Sequence, residues 1–458
     1  MESEIKHECG VFGAIGSPNC LEDCLAGLNA PQHRGEEQCG VASWQNGEIA
    51  LYKHAGLVNS IFSSTRASLY EGEPIIAHNR YSTAGASNIE NAQPHLSFDA
   101  QTALCSNGDL PPDSYRKWRL VATEKGFEPQ TNNDGELLLR LVEWQLQEGH
   151  TIELALEFLQ KNVYGSFSAL VIHRGQLIAF RDRRGFRPLV FGARKDGSRF
   201  VASETCALDE VGVNWWRAVA PGEILTINPK GNSQQQFLER LQHAHCIFDD
   251  IYFGFVTSTI FGIPVDPFRT RLGELLARTM PPNADLVIAV PDSSNSAAVG
   301  LAYASGVRFA HGLVRRHHQG RSFTAPHQAM RNQIVETKLV ANRDVVGGKR
   351  LVVLDDSLVR GTTAKIIVGK LFDAGAKEVH LRFTAPPITD PCYYGINTPD
   401  KSKLVASHLT IDQIRDLVGA DSLVYLGVED LKEAIRSFDR NPNDYCFACF
   451  TGNYPTPL

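Results

Sequence analysis

The sequence predicts two successive layered α/β domains, and three observations carry that prediction. Up to about residue 230, short β-prone runs are broken by Gly, Asn and Pro and mixed with helix-length segments. A polar stretch over 228–236, with three consecutive glutamines, then marks a linker. Beyond it, apolar strands alternate with helices, the pattern of a parallel sheet with covering helices.

In order along the chain, strands are expected over 10–15, 74–78, 168–173 and 176–180. Each is a short apolar run bounded by turn formers. Helical spacing of apolar residues places helices over 136–148 and 152–162. In the second half, strands fall over 286–290, 350–354 and 378–384, and helices over 296–305 and 363–374. No internal repeat or low-complexity tract interrupts the pattern.

A length of 458 residues gives each domain an ample core. With 45 Lys and Arg against 51 Asp and Glu, the formal charge of -6 argues against a nucleic-acid or membrane-surface footprint. Residues 1–8 contain three Glu and no apolar run, so no secretory signal is expected, and no stretch of about 18 apolar residues offers a membrane span. The chain therefore reads as soluble and cytoplasmic. Its ten Cys are then expected as reduced thiols, metal ligands or nucleophiles, not as a disulfide framework.

Cys9-Gly10-Val11-Phe12 opens the first expected strand. A thiolate attacking an amide needs a base and an oxyanion site. Removal of residues 1–8 would free the α-amine of Cys9, whose unperturbed pKa of about 8 suits that base, so no histidine is required. A buried strand cysteine is the plain alternative. Against it stand Gln32-His33-Arg34-Gly35, Ala77-His78-Asn79-Arg80-Tyr81-Ser82-Thr83-Ala84-Gly85, Ser106-Asn107-Gly108-Asp109-Leu110 and Asn133-Asp134-Gly135-Glu136, each with turn-forming or charged residues after an apolar run. An arginine fork suits a carboxylate, and an Asn-Gly pair can offer a side-chain and a backbone N–H to a developing anion. Taken singly, Arg80 also fits a surface ion pair, Asp134 a helix N-cap and Asn107-Gly108 a simple turn.

A second constellation ends the strand over 350–354. Asp355 and Asp356 can reach ribose hydroxyls or a hydrated Mg²⁺, while Ser357 and Arg360-Gly361-Thr362-Thr363 offer hydroxyls and N–H groups to a phosphate at a helix N-terminus. No Gly-Lys-Ser/Thr follows, so this is not a Walker loop. Arg315, Arg321, Lys338 and Lys349 are the candidate cations for a leaving pyrophosphate. The stretch 321–342 suits a lid that excludes water, or equally an ordinary solvated loop. Cys446-Phe447-Ala448-Cys449, with Cys246 and Cys392 upstream, is open among redox, zinc and iron–sulfur uses.

Taken together, these motifs resemble the glutamine phosphoribosylpyrophosphate amidotransferase family nearly end to end. The resemblance implies a leader over 1–8 and an N-terminal-nucleophile αββα glutaminase sandwich over 9–235. It implies next a type I phosphoribosyltransferase domain with a parallel sheet over 236–458, including a C-terminal cluster-binding segment. By that resemblance Cys9 is the processed nucleophile, Arg80 and Asp134 hold the carboxylate and amine of glutamine, and Asn107 and Gly108 stabilise the oxyanion. Asp355, Asp356, Ser357, Arg360, Gly361, Thr362 and Thr363, with Arg321, Lys338 and Lys349, bind phosphoribosyl pyrophosphate. Val290-Pro291-Asp292-Ser293-Ser294 resembles the family's pyrophosphate loop, with Ser293 joining Asp355 and Asp356 around Mg²⁺. Cys246, Cys392, Cys446 and Cys449 match the contexts that bind a [4Fe-4S] cluster in one subgroup, although four thiolates also suit structural zinc. The implied activity makes phosphoribosylamine, glutamate and pyrophosphate, the committed step of purine synthesis. The implied partners are glutamine, phosphoribosyl pyrophosphate, purine nucleotide inhibitors and further copies of the chain, in a tetramer.

Several positions depart from the family pattern. Glu36 stands for Gln, Ser106 for His and Gly135 for Thr. Phe255-Val256-Thr257 occupies the place of Arg-Pro-Asp, and Arg316-His317-His318 that of Asn-Arg-Tyr. Two other readings follow from these changes: an enzyme that uses only free ammonia, or a regulatory protein that binds phosphoribosyl pyrophosphate or nucleotides without turnover.

Overall fold

A computed structural model describes residues 9–458 except 62–69, 82–87, 229–232, 240, 282, 317–338, 397 and 399. The first half contains β1 (Gly10–Ile15), β2 (Gln38–Gln45), β3 (Glu48–Ala55), β4 (Ile75–Arg80), β5 (His95–Leu96), β6 (Thr102–Asp109) and β7 (Ser166–His173). It continues with β8 (Gln176–Arg181), β9 (Val190–Ala193), β10 (Arg199–Ala202), β11 (Trp215–Ala218), β12 (Glu223–Ile227) and β13 (Ser233–Phe237). Among the described residues these form a seven-stranded sheet, β11-β9-β10-β1-β4-β2-β3, and a six-stranded sheet, β13-β12-β8-β7-β6-β5.

Alternation along each strand assigns its two faces. Phe12 and Ala14 of β1 pack outward with the helix Cys20–Asn29, whereas Val11 and Ile15 face the second sheet. β6 does the same from the other side. Leu104 packs with the helices Asp134–Gln147 and Ile152–Asn162, while Ala103 and Cys105 join Val11 between the sheets. Helix, sheet, sheet and helix layers follow one another, the αββα sandwich that the family resemblance implies.

Most boundaries fall within two residues of expectation, and two differences are instructive. The strand expected over 74–78 is Ile75–Arg80, because pairing with β2 continues to Gln38↔Arg80. The polar stretch expected as a linker supplies β13, an edge strand antiparallel to β12. An edge strand that buries so little reads as loop in sequence.

In the second half, Leu286–Ala289, Arg350–Asp355, Glu378–Phe383 and Ser422–Tyr425 form a parallel sheet in that order. Val287, Ala289, Val352 and Leu354 face Phe268, Leu272, Ala298 and Leu301 of two helices, while Leu286, Ile288, Leu351 and Val353 face Ile367, Val368 and Leu371 of the helix Thr362–Asp373. Burial on both faces explains the near-continuous apolar strands. Among the described residues, no helix is long and apolar enough to cross a membrane.

The halves meet at a buried chain of charges. Arg34 pairs through Nε with Glu204 and, at 2.7 Å, with Asp249, which also accepts from Arg187 at 3.1 Å. All four side chains are 0 % exposed. Burial alone would raise the Glu204 carboxyl, but the Arg34 and His33 charges and hydrogen bonds from His33 and Ser258 hold it well below the usual range. Its contribution to stability is thus complete above the ordinary glutamate pKa of 4.5 and is lost as pH falls below it. Arg34→Ala leaves Glu204 with His33 and Ser258 and Asp249 with Arg187 alone, and is expected to lower the unfolding free energy by about 3–5 kcal/mol, measured by denaturant titration at pH 7. A loss below about 1 kcal/mol would place the pairs with surface ion pairs in energetic weight.

Candidate functional site

Cys9 lies at the mouth of β1, between β10 and β4. Its Sγ donates to the Tyr81 carbonyl at 3.7 Å. Burial pushes the thiol up to about 11; the Tyr81 hydrogen bond and the Arg80 charge pull it down, and Asp134 and Glu37 add to the rise. Such a thiol stays protonated at neutral pH until a base removes its proton. Asn79 fixes the start of the strand. Its Oδ1 accepts from Gly10 N–H at 2.7 Å, and its Nδ2 donates to Pro31 at 3.0 Å. It stands inside a motif that the sequence singled out, beside an arginine that drew the attention.

Arg80 ends β4, is 2 % exposed and donates to Gln38 Oε1 at 3.1 Å. Asp134 opens the helix Asp134–Gln147, but the capping side chain is that of Asn133, which accepts from Gly135 N–H at 2.8 Å. Burial pushes Asp134 up to about 6, against backbone hydrogen bonds and the Arg80 charge. Asp109, to which the sequence assigned no role, is its partner. Burial first and the Asp134 charge second lift Asp109 well above the usual carboxylate range, so the pair retains a proton. An acid next to an Asn-Gly pair was the available signal.

Asn107 is 1 % exposed and its Nδ2 has no hydrogen-bond partner. A buried donor left unmade is costly unless a ligand completes it. Gly108 has φ 146°, and a Cβ there would stand 2.0 Å from the Ser166 carbonyl, so no other residue fits. Cys9, Arg80 and Asp134 are thus brought into electrostatic reach of one another. Cys105, two residues before Asn107, in turn feels the Cys9 charge.

The second constellation gathers at the C-terminal edge of the parallel sheet. Ser293 donates to Asp356 Oδ2 at 2.7 Å and Ser357 to its Oδ1 at 2.9 Å. Ser294 reaches Asp355 Oδ1 at 3.4 Å. Gly361, at φ 75°, turns the chain into the helix Thr362–Asp373, and Arg360 Nε is buried without a hydrogen bond. These carboxylate and hydroxyl oxygens suit a hard cation such as Mg²⁺. Arg315 pairs with Asp292 at 3.1 Å. Lys349 is a correction: it precedes Arg350 at the opposite end of the strand, roughly 20 Å of extended chain from Asp355. Arg321, Lys338, His317 and His318 lie outside the described residues.

Cys246, Cys392, Cys446 and Cys449 line one tight, largely apolar cavity with Phe186, Tyr394 and Ile396. Cys246 and Cys446 face each other in a short parallel ladder joining 245–246 to 445–446. All ten cysteines are free thiols. Burial pushes Cys446 up to about 12 and raises Cys246, Cys392 and Cys449, while the Arg187 charge lowers every one of the four. Among the described residues, however, no three His, Cys, Asp or Glu side chains stand close enough to hold a metal ion.

Fold and sites define a class of two-domain protein in which a glutamine amidotransferase sandwich precedes a phosphoribosyltransferase sheet. Residues 78–210 match the family model of the glutamine amidotransferase domain. The amidophosphoribosyltransferase of Bacillus subtilis is 40% identical over 467 residues, covering 100% of this chain and 97% of its own. The chloroplastic amidophosphoribosyltransferase 1 of Arabidopsis thaliana is 39% identical over 98% of this chain and 79% of its own. The chain belongs to the amidophosphoribosyltransferase family. The solved B. subtilis glutamine phosphoribosylpyrophosphate amidotransferase, complexed with ADP and GMP, superposes with a TM-score of 0.89 at 38% identity, covering 98% of both chains. A structure described as the allosteric regulatory enzyme of purine biosynthesis gives 0.90 at 39% identity, covering 98% of this chain and 96% of its own.

Proposed function

We propose that this chain hydrolyses glutamine at Cys9 and delivers the ammonia to C1 of phosphoribosyl pyrophosphate. The products are phosphoribosylamine, glutamate and pyrophosphate, and the step commits material to purine synthesis. The convergence of Cys9, Arg80 and the Asp109–Asp134 pair near the unpartnered Asn107 donor carries the reading. Arg80 takes the glutamine carboxylate and Asp134 its ammonium group. With residues 1–8 removed, the freed α-amine accepts the thiol proton and the thiolate attacks the side-chain amide carbon. Asn107 Nδ2 and the Gly108 N–H receive the oxyanion, ammonia leaves, and water hydrolyses the thioester. Ammonia then displaces pyrophosphate at C1 with inversion. The turn from Ser357 through Thr363 holds the 5′-phosphate, and Asp355 and Asp356 hold the ribose. Ser293, Asp355 and Asp356 would hold Mg²⁺, whose chemistry there is neutralisation of the leaving pyrophosphate.

The iron–sulfur subgroup is also part of the proposal. The four thiols lining one cavity, with Arg187 as a common cation, support a [4Fe-4S] cluster with a structural role: it ties residue 246 to the C-terminal segment. The division near residue 235, purine-nucleotide inhibition, a homotetramer and a cytoplasmic setting complete it. The ADP and GMP of the B. subtilis complex support the nucleotides, and ten free thiols support a reducing compartment.

Pyrophosphate release by anaerobically purified protein, with glutamine or ammonium as donor, tests the reading. Cys9→Ala is expected to abolish the glutamine-dependent rate and spare the ammonium-dependent one; persistence of both would remove the nucleophile from Cys9. A parent rate with ammonium alone favours the ammonia-only enzyme, and silence with both donors favours the regulatory protein. Because burial raises the Asp134 carboxyl into the weakly acidic range, kcat/KM for glutamine should fall as the pH drops through that range, whereas the ammonium reaction should not follow the same profile. Iron and acid-labile sulfide should copurify and be lost together in Cys449→Ser; zinc in their place would overturn the cluster assignment.

A further inference from the structure

Gln93 belongs to none of the motifs above, yet it is 3 % exposed and spends its whole carboxamide on one residue. Its Oε1 accepts from Ser106 N–H at 2.7 Å, and its Nε2 donates to the Ser106 carbonyl at 3.3 Å. β5 pairs with β6 only at His95↔Leu104 and Leu96↔Ala103. Carrying that register two residues back sets position 93 opposite position 106. There the Gln93 side chain replaces the missing strand backbone, while its own carbonyl is turned toward Gly40, where a Cβ would lie 2.3 Å from it.

Ser106 immediately precedes Asn107 and Gly108. Without the carboxamide, its N–H and C=O would lose these partners in a buried site, and β6 would be free to shift where donor placement matters most. The space for the carboxamide comes from position 135. A Cβ on Gly135 would stand 2.8 Å from Gln93 Oε1 and 3.0 Å from Gln93 Cδ, with Asn133 Oδ1 also at 3.0 Å. Relieving that contact means shifting the carboxamide against its two bonds to Ser106. Gly135 and Ser106 are two of the positions at which the sequence departs from the family pattern, and both touch this one side chain.

We propose that Gln93 is a positioning residue for the glutamine reaction: it clamps the Ser106 backbone so that Asn107 and Gly108 present their donors to the oxyanion, and the clamp requires glycine at 135. This rests on the glutaminase reading above. Misplacing preorganised donors costs transition-state stabilisation more than substrate binding.

The test is steady-state kinetics of the full-length enzyme with glutamine and with ammonium for Gln93→Ala, Gly135→Ala and the double variant. Gln93→Ala is expected to lower the glutamine-dependent kcat roughly tenfold to a hundredfold at near-constant glutamine KM, leaving the ammonium-dependent rate intact. Gly135→Ala should act in the same direction in the parent but have a clearly smaller effect in the Gln93→Ala background, where of its three close contacts only Asn133 Oδ1 remains. Equal losses with both donors, or an equal effect of Gly135→Ala in both backgrounds, would overturn the proposal. If the parent itself works only with ammonium, the glutaminase reading fails first. Amide hydrogen exchange over 106–108 then decides the clamp: faster exchange in Gln93→Ala supports it, and unchanged exchange overturns it.

Discussion

Asp249 is the point at which the two halves become one molecule. It lies beyond the first two sheets, at the start of the second half, yet it accepts from Arg34 and Arg187 of the sandwich in a site closed to water. Ion pairs so deeply buried add little net stability over apolar packing, but they tolerate one arrangement only, because any slip leaves a buried charge alone. That intolerance fixes the sandwich against the parallel sheet. The next residue, Asp250, has both carboxyl oxygens buried without hydrogen-bond partners, and burial followed by the Asp249 charge raises it far above the usual range. Arg34 and Arg187 bond only to Asp249, and at Asp250 the Arg269 charge alone works against the rise.

The same chain of charges connects the sites. Arg34 belongs to the turn that leads into β2, whose Gln38 receives Arg80. Arg187 lowers all four cavity cysteines and donates through Nε to the Tyr394 carbonyl at 2.8 Å. The Phe255 departure falls on this joint. Its backbone N–H donates to Glu204 at 2.8 Å, and its ring packs 5.3 Å from His33, which holds the same carboxylate. Nothing in the structure explains Glu36 in place of Gln.

Much of this was legible in the residues. Short apolar runs bounded by turn formers located β1 and β7, and the continuous apolar run over 351–354 announced a strand covered on both faces. Cys9, Arg80, Asn107 and Asp134 were legible because each stands at the edge of an element and carries a chemistry that the fold does not need. Lys349 was misread because a basic residue beside a strand does not show at which end of the sheet it stands. β13 was misread because an exposed edge carries no apolar signature.

The chain by itself determined the element types and the identity of the chemical groups, since periodicity and side-chain chemistry are local properties, whereas the αββα layering came only through the family resemblance. Tertiary structure alone decided which groups share a site. Arg187 among the cysteines, Asp109 beside Asp134, and Gln93 against Ser106 with Gly135 beneath it are contacts between residues far apart in sequence or on different elements. Their hydrogen bonds and charge shifts depend on distance and burial, and both arise only when the layers close.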